Sequence, residues 1–572
     1  MQTQSPAAKP KAAEPRATYK ITLPGGVEKE IRAGAPIGEY IPKESAAGIP
    51  IVAVRFNNKV ASLQRPVDRD AVVDYVDLSS RDGALIYRRS LTFLLIRAVR
   101  DLFPDLKVYI NHSLNRGYYG EVYNEITGQN KPMLLAPTDV ERIKAHMKKL
   151  VDADLPFERR EVPIEEAVEL FKAQGLDDKV ALMKYRNDKT IAVYTCGPIV
   201  NHFFGQLLPS TGLLKLFDLH LCGPGFVLLP PPHGTPNQLP PYIHHEKIFQ
   251  VFQEYEHWSQ ILGVRTVADV NQLVDTKKIN EYVLVAEALH EKKLARIADM
   301  ITEHPRHPRI ILLSGPSSSG KTTTVKRLSV QLRVNGMRPL VIGLDDFFVE
   351  RERTPKDETG EYDFESFQAI DVALLQDCVR KILRNGEVRL PHFDFIQGKP
   401  VPGELVQLQP GQPLILEGIH ALNPDLLPEI PDGLKFKIFI SPLTHLNIDD
   451  HNRIGSGDTR LIRRLVRDSR YRGYDGVATL TRWPSVRRGE EKNILPYQDN
   501  ADIIFNSSLP YEVLILKQHA MQVLQNVPRE HPIYSEAARL IKFMSYYRNI
   551  NPDIVPRHSL LREFIGGSSF KY

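Results

Sequence analysis

The sequence is poor in cysteine and lacks any long apolar run. Its three cysteines, Cys196, Cys222 and Cys378, lie far apart with no CxxC pair. This spacing argues against a disulfide framework and a thiolate zinc site, and it is typical of a reducing compartment. No stretch approaches the ~18 consecutive apolar residues of a membrane helix, and the N-terminus lacks the apolar core of a secretory signal. We therefore expect a cytoplasmic protein with no membrane contact.

An excess of charge of one sign is also missing. The chain has 74 Lys and Arg against 69 Asp and Glu, which gives +5 over 572 residues. Hydrophobic residues make up 42% and charged residues 25%, which excludes a mostly disordered or fibrous chain. The total charge does not by itself indicate a nucleic-acid binder. At roughly 100–200 residues for each domain, the length predicts three or four domains.

The N-terminal part reads as a polar tail followed by a small β-domain. Residues 1–17 are mostly Ala, Pro, Lys and Gln, and we expect a disordered tail there. Pro24-Gly25-Gly26 predicts a hairpin turn. From Arg88 the apolar spacing becomes helical. Alternation of apolar and polar residues predicts four strands: Tyr19–Leu23, Glu28–Ile31, Ile51–Phe56 and Ala71–Val76.

The middle of the chain predicts a loop and then helices. Residues 228–242 contain six prolines, which neither a helix nor a central strand tolerates, so this stretch is expected to be a wrapping loop or linker. Helices are expected over Lys247–Leu262 and Ile279–Thr302. A second break at His304–Pro308 precedes a different kind of sequence.

The strongest motif is a phosphate-binding loop. Gly315–Thr322 fits GxxxxGK[ST], with an apolar strand before it and a helix after it. Glycines let backbone N–H groups approach phosphate oxygens, Lys321 can reach the outer phosphates, and the Thr322 hydroxyl can bind Mg2+. The candidate nucleotide-binding residues are Gly315, Pro316, Ser317, Ser318, Ser319, Gly320, Lys321, Thr322 and Thr323.

Acidic residues follow two further apolar strands. Asp345 and Asp346 end the strand 339–344, and Glu417 ends the strand that begins at Pro413. Ligands gather at the carboxyl ends of parallel strands, so a carboxylate here could take up or orient the proton of an attacking hydroxyl. An N-cap or a surface acidic pair is the alternative for the two aspartates.

Seven arginines lie between Arg453 and Arg472. Their spacing predicts a helix with Leu461, Leu465 and Val466 packed inward. The arginines could form a lid that clamps a transferring phosphoryl group. A solvated charged face and a nucleic-acid patch are the alternatives, although few aromatic residues accompany them.

Residues about 309–525 resemble the uridine–cytidine kinase branch of the uridine kinase/phosphoribulokinase family. The motifs that carry the resemblance are the loop Gly315–Thr322, LDDFF at 344–348, YDFESFQAID at 362–371, PHFDF at 391–395, LEGIH at 416–420 and DTRLIRRLVRDSRYRG at 458–473. The resemblance implies a P-loop fold that transfers the γ-phosphate of ATP or GTP, with Mg2+, to a 5′-hydroxyl.

The same resemblance assigns roles residue by residue. It implies catalytic roles for Asp345, Lys321, Arg467 and Arg472, and magnesium binding by Thr322 and Glu417. Substrate binding is implied for Asp345, Asp363, Glu365, Phe393, Arg464 and Arg467. The chain departs from the family pattern at four positions: Glu365 is a longer acid, Phe393 lacks a hydroxyl, Gly398 stands for a histidine and Tyr474 for an arginine.

Residues about 18–250 resemble the N-terminal part of threonyl-tRNA synthetase, a TGS domain followed by its editing-type domain. The matching segments are YKITLPGG at 19–26, IVAVRFNNKV at 51–60, YRRSLTFLLIRAVRDLFPD at 87–105, RGYYGEVY at 116–123, and CGP followed by STGLLKLFDL at 210–219. The HxxxH of such an editing site reads Arg89 and Phe93 here, and its CxxxH reads Cys196 and Val200 with His202 close by. Arg and Phe cannot activate water, so we expect no deacylation of tRNA, and Cys196 is expected to be a buried apolar residue rather than a nucleophile.

These observations predict an α/β multidomain protein: a P-loop kinase with a parallel sheet, preceded by a β-grasp-like TGS domain and an α+β editing-like domain. The expected boundaries are 1–17 (tail), 18–80 (TGS-like), 81–250 (editing-like), 251–305 (helical connector), 306–525 (kinase) and 526–572 (C-terminal extension). The expected function is ATP-dependent phosphorylation of a ribonucleoside, uridine or cytidine first.

Two alternatives stay open. One is a kinase of another nucleoside or of a small alcohol. The other is a nucleotide-gated regulator that binds RNA or the ribosome, with the RNA contact in the N-terminal half. A homo-oligomer is compatible with either function, and we expect the C-terminal extension to pack on the kinase or on a partner subunit.

Overall fold

The computed structural model describes residues 16–114, 116–124, 132–358, 360–395 and 397–572. All of the predicted N-terminal tail except its last two residues lies outside these ranges. No helix within the described part of the chain is both long and apolar enough to cross a membrane.

The first sheet is five-stranded and mixed, with the order β2-β1-β5-β3-β4. β1 pairs parallel with β5, and the other neighbours are antiparallel. The predicted hairpin is confirmed, with Gly25 at φ 80° in the turn. The four predicted strands are confirmed to within one residue at each end. The bounds are β1 Thr18–Leu23, β2 Val27–Arg32, β3 Ile51–Phe56, β4 Lys59–Ala61 and β5 Ala71–Asp77.

The next region pairs helices with two antiparallel sheets, ordered β10-β9-β8 and β11-β12-β7-β6. Its first helix begins seven residues before the predicted start at Arg88, because the Ser80 hydroxyl caps it by accepting from the Gly83 N–H. The bounds are α1 Arg81–Leu102, β6 Leu106–Leu114, β7 Gly117–Asn124, α2 Pro137–Asp152, β8 Glu158–Pro163, α3 Ile164–Ala173, α4 Asp177–Met183, β9 Thr190–Cys196, β10 Ile199–Asn201, β11 Asp218–Cys222 and β12 Gly225–Leu229.

Three helices then lead to the C-terminal region: α5 Glu246–Leu262, α6 Val267–Asp275 and α7 Ile279–Thr302. The two predicted helices are confirmed. The short helix α6 was not predicted, although its start carries a capping box in which Thr266 and Asp269 bond each other's backbone N–H. The proline-rich stretch is a loop from residue 230 onward, since β12 includes Leu228 and Leu229.

The C-terminal region is built on a five-stranded parallel sheet with the order β14-β17-β13-β18-β19. Residues buried on both faces of the sheet explain why these strands read as continuous apolar runs. The bounds are β13 Ile310–Ser314, α8 Lys321–Val334, β14 Leu340–Gly343, α9 Val372–Leu383, β15 Val388–Asp394, β16 Lys399–Val406, β17 Leu414–Glu417, β18 Lys435–Ser441, α10 Ser456–Tyr471, α11 Gly476–Asn493, β19 Ile503–Asn506, α12 Glu512–Gln525, α13 Tyr534–Met544 and α14 Arg562–Ile565.

The C-terminal extension packs on the parallel-sheet region, which is one of the two predicted packing partners. Leu540, Leu561 and Phe564 are buried in the same core as Leu461 and Leu465 of α10. The extension also contacts the N-terminal sheet, because the Asn58 side chain donates to the carbonyls of Arg529 and Glu530. The extension therefore contacts both the parallel-sheet region and the N-terminal sheet.

A buried polar seam connects the two halves. We call the contacts of loop 444–455 with the N-terminal region the seam. Lys179 of α4 lies 2.7 Å from Asp449, and both side chains are 0% exposed. Asn447 donates to the carbonyls of Ile110 and Asn111, at 2.9 Å each. Burial alone would raise the pKa of Asp449, but the Lys179 ammonium lowers it.

Replacing Lys179 by Met should destabilise the chain by about 3–5 kcal/mol at pH 7, because the Asp449 carboxylate would stay buried without its partner. Urea denaturation measures the change, with Lys184→Met, at the exposed end of the same helix, as the control. Since the pKa of Asp449 is lowered on folding, its stabilising effect is present above the unfolded pKa of about 4 and is lost as the pH falls below it. Equal unfolding midpoints for the two variants would contradict the role of the pair.

Candidate active site

The loop between β13 and α8 has the backbone shape that phosphate binding requires. Ser318 and Gly320 have φ angles of 59° and 86°, the left-handed region, where glycine is least strained. A Cβ atom on Gly315 would lie 2.1 Å from the Ile440 carbonyl oxygen. Lys321 turns back over the loop and donates to the Pro316 carbonyl at 3.3 Å. The first-turn N–H groups of α8 are therefore directed at one concave anion site.

Glu417 and Thr322 form the oxygen-rich side of this site. The Thr322 side chain is near the Glu417 carboxylate and lowers its pKa slightly. Burial raises the pKa of Glu417 to about 7, with the Lys321 ammonium opposing the rise and the Asp345 carboxylate adding to it. A hydroxyl and a carboxylate are the hard oxygen donors that Mg2+ prefers. These residues fit a magnesium ion.

The two aspartates after β14 have different surroundings. The Asp346 carboxylate accepts from the Phe393 N–H at 3.3 Å and lies 2.9 Å from His392 Nδ1, so strand β15 holds it. Asp345 instead lies within the electrostatic reach of both Glu417 and Arg472, whose pKa values respond to its charge. Of the pair, Asp345 is thus the one that faces both the magnesium-type carboxylate and the arginine helix.

Helix α10 lies across the phosphate-binding loop. The Arg460 guanidinium donates to the Ser317 carbonyl at 2.9 Å, and Arg464 donates to the Ser317 hydroxyl at 3.2 Å. The predicted inward face of the helix is confirmed, with Leu461, Leu465 and Val466 buried. Arg460 and Arg464 therefore reach the loop directly rather than pointing to solvent.

Five of the seven arginines between Arg453 and Arg472 fall into two groups. Arg460 and Arg463 are anchors, because they form buried ion pairs with Glu490 and Glu512, respectively. Arg464, Arg467 and Arg472 converge on a single buried carboxylate, that of Asp468, with N–O distances of 3.1, 2.9 and 3.7 Å. The structure thus brings together the three arginines that the sequence singled out.

Asp468, Glu490 and Glu512 were missed by sequence reasoning. Only Asp468 left a signal, as one of two acids within the arginine-rich segment, and Glu490 and Glu512 come from helices α11 and α12. Three guanidiniums around one carboxylate leave a net positive cluster, which suits an incoming polyphosphate.

Glu365 lies opposite this cluster. Burial raises the pKa of Glu365 to about 7, and the Glu490 carboxylate adds to the rise. Its Oε2 atom is buried and has no hydrogen-bond partner. Asp363 accepts from the Glu365 N–H at 3.1 Å, so the two predicted acids share one turn, with Glu365 Oε2 left unpaired.

Phe393 is placed differently from its neighbour Phe395. Phe393 is 2% exposed, and its ring lies 5.7 Å from that of Phe348 and 5.1 Å from that of Phe395. Phe395 is 56% exposed and was not singled out from the sequence. The aromatic surface that a ligand can reach here belongs to Phe395. Gly398 has a φ angle of 71°. The Arg351 side chain, from another segment, packs against it.

At the positions of the N-terminal editing-type motif, Phe93 and Cys196 are buried in the core. Phe93 is fully buried, and its ring lies 5.5 Å from that of Phe157 and 5.2 Å from that of Phe203. Burial raises the pKa of the Cys196 thiol to about 11, and burial lowers the pKa of His202 to about 3. A thiol that stays protonated is not a nucleophile, as expected for a buried apolar Cys196.

Comparison with known proteins supports both resemblances. Residues 310–513 match the sequence model of the Phosphoribulokinase / Uridine kinase family. Over 204 residues, 35% of this chain, the sequence is 31% identical to Threonine–tRNA ligase of Symbiobacterium thermophilum, and over 207 residues it is 33% identical to that of Syntrophotalea carbinolica. The chain spans about 30% of the length of these curated relatives.

Among solved structures, a possible uridine kinase from Bacillus stearothermophilus is similar at 19% identity and a TM-score of 0.27, over 37% of this chain and 97% of that one. Both resemblances inferred from the motifs are thereby confirmed by the sequence matches. The chain joins an N-terminal region similar to threonine–tRNA ligases to a P-loop kinase region, residues 310–513, that matches the phosphoribulokinase/uridine kinase family.

Proposed function

We propose that the protein transfers the γ-phosphate of ATP, or of GTP, to the 5′-hydroxyl of a ribonucleoside, with uridine and cytidine as the first candidates. The observation that carries the proposal is the position of Asp345. Its carboxylate is close enough to both Glu417 and Arg472 for its charge to shift their pKa values. An acid in that position can accept the proton of an attacking hydroxyl while cations stabilise the phosphoryl group.

The other residues have roles that follow from their contacts. The loop N–H groups and Lys321 hold the donor phosphates, and Arg464, Arg467 and Arg472 offset the charge that develops on the transferred group. Thr322 and Glu417 would hold Mg2+, which supplies further charge neutralisation on the phosphates. Asp468 holds Arg464 and Arg467 in place through close ion pairs, so little reorganisation of these two side chains would accompany transfer.

A nucleoside suits the acceptor side for two reasons. The unpaired Glu365 oxygen can accept a hydrogen bond from a ribose hydroxyl. The exposed ring of Phe395 offers a flat apolar surface for a base. A kinase of another nucleoside or a small alcohol is the competing function, because neither contact distinguishes one base from another.

The direct test is phosphate transfer from labelled ATP with Mg2+, offering uridine, cytidine, adenosine, guanosine and small polyols one at a time. A 5′-monophosphate from uridine or cytidine is expected. Transfer only to another acceptor would reassign the substrate and keep the chemistry. Slow ATP hydrolysis without transfer, together with salt-sensitive RNA binding, would favour the regulator instead.

In the same assay, Lys321→Ala and Asp345→Asn should each lower kcat by at least about 100-fold. Asp346→Asn is the matched control: it removes the adjacent charge but keeps an acceptor for the Phe393 N–H, and it should lose far less activity. Comparable losses for Asp345→Asn and Asp346→Asn would refute the assignment of Asp345.

The pKa of Glu365, raised to about 7, predicts a pH dependence. The ionised form, which is the better acceptor for a ribose hydroxyl, predominates above that pH. The kcat/KM for the acceptor should therefore rise between about pH 6 and 8. The Glu365→Gln variant should have a lower kcat/KM at high pH and a smaller rise, since Glu417, whose pKa is also about 7, still titrates. A rise that persists unchanged in Glu365→Gln would contradict the role.

The proposal includes the division of the chain at residues 18–80, 81–250, 251–305, 306–525 and 526–572. In it, the editing-like part serves as a scaffold or as a contact for RNA, and it does not deacylate tRNA. Release of an amino acid from threonyl- or seryl-tRNA should match the rate in buffer alone. Release above that rate which Cys196→Ala abolishes would show an active editing site.

A further inference from the structure

The last residues of the chain lie against the phosphate-binding loop. We call residues 559–572 the strap. Leu560 occupies the space beside Gly320, where a Cβ atom would lie 2.5 Å from its side chain. The ring of Phe564 lies 5.5 Å from the Arg463 guanidinium. The strap is thus anchored by buried apolar residues on both the loop and the arginine helix.

A carboxylate of the strap reaches the first turn of α8. The Thr323 hydroxyl donates to Glu563 Oε2 at 2.5 Å and lies 2.8 Å from the Tyr572 hydroxyl. Lys326, one turn further along α8, donates to the Lys571 carbonyl and lies 5.0 Å from the centre of the Tyr572 ring. These contacts tie the end of the strap to the helix that binds phosphate.

The position of Glu563 has an electrostatic consequence. The N-terminus of a helix attracts anions, because its first N–H groups lack intrahelical partners and the helix dipole is positive there. Glu563 places a negative charge of the protein itself beside that turn, where its carboxylate accepts from the Thr323 hydroxyl. A donor nucleotide brings several more negative charges to the same turn, and two anions so close repel each other.

We propose that Glu563 competes with the phosphates of the donor nucleotide for the first turn of α8, so that the strap lowers donor affinity until the donor displaces the carboxylate. The inference rests on the donor-binding part of the proposed function and adds a regulatory element to that site. The buried anchors Leu560 and Phe564 keep the strap attached, while its last residue is 60% exposed. Displacement therefore requires movement of the Glu563 side chain and of the residues after Ile565, while Leu560 and Phe564 stay buried.

The test is ATP binding to the full chain, measured by calorimetry with Mg2+. Glu563→Gln should bind ATP about tenfold more tightly, since it removes one unit of charge repulsion and its amide oxygen can still accept from Thr323. Glu530→Gln removes the same charge from an exposed position in the extension and should bind like the parent chain. Equal or weaker binding by Glu563→Gln would overturn the inference.

A second measurement needs no variant. Hydrogen exchange of residues 566–572 in the parent chain should become faster when ATP saturates the site, because displacement of the Glu563 side chain releases this segment. Protection by ATP would instead mean that the strap helps to hold the donor, and it would overturn the inference.

The two proposals fail in different ways. Lys321→Ala should abolish ATP binding in the parent chain and in Glu563→Gln alike. If ATP binds neither the parent chain nor the Glu563→Gln variant, both with Lys321 intact, the proposed function and the inference both fall. If ATP binds both with the same affinity, only the competition by Glu563 is refuted.

Discussion

The geometry of the site depends on one buried guanidinium. Arg463 is fully buried in α10, pairs with Glu512 at 2.5 Å, and donates to the Ser507 carbonyl at 2.8 Å. Leaving such a charge without partners would cost several kcal/mol, so the helix has one stable rotation about its axis. In that rotation Arg460, one turn earlier, also points inward, and Arg464 and Arg467 are placed around Asp468. The helix is therefore oriented before any ligand arrives.

The ion pairs of these arginines divide them into two groups. Arg460 and Arg463 pair with the carboxylates of Glu490 and Glu512, respectively, and Glu490 also pairs with Arg487. Arg464, Arg467 and Arg472 share one between them, which leaves positive charge in excess beside Asp345. A phosphoryl group that gains charge during transfer would find stabilisation there at little reorganisation cost. The sharing of Asp468 is thus as important as the presence of the arginines.

Local features of the site could be predicted from the sequence, and distant ones could not. Gly315–Thr322 and the strand before it form one continuous segment, so their chemistry and shape can be read together. The start of α1 was missed because the cap at Ser80 precedes the first apolar turn. The burial of Phe393 depends on Phe348, from another element. Glu563 contacts Thr323 across 240 residues, and no periodicity connects the two.

The seam has a consequence for how the protein can be divided. Loop 444–455 ends at the residue before α10 begins, and Asn447, Asp449 and Asn452 are held there by groups of the N-terminal region. A catalytic fragment that starts near residue 250 would retain every residue of the active site. It would also expose to water the buried polar side chains of this loop, next to the helix that sets the position of the arginines. A cut between the two halves would therefore remove the buried partners of this loop, next to the start of α10.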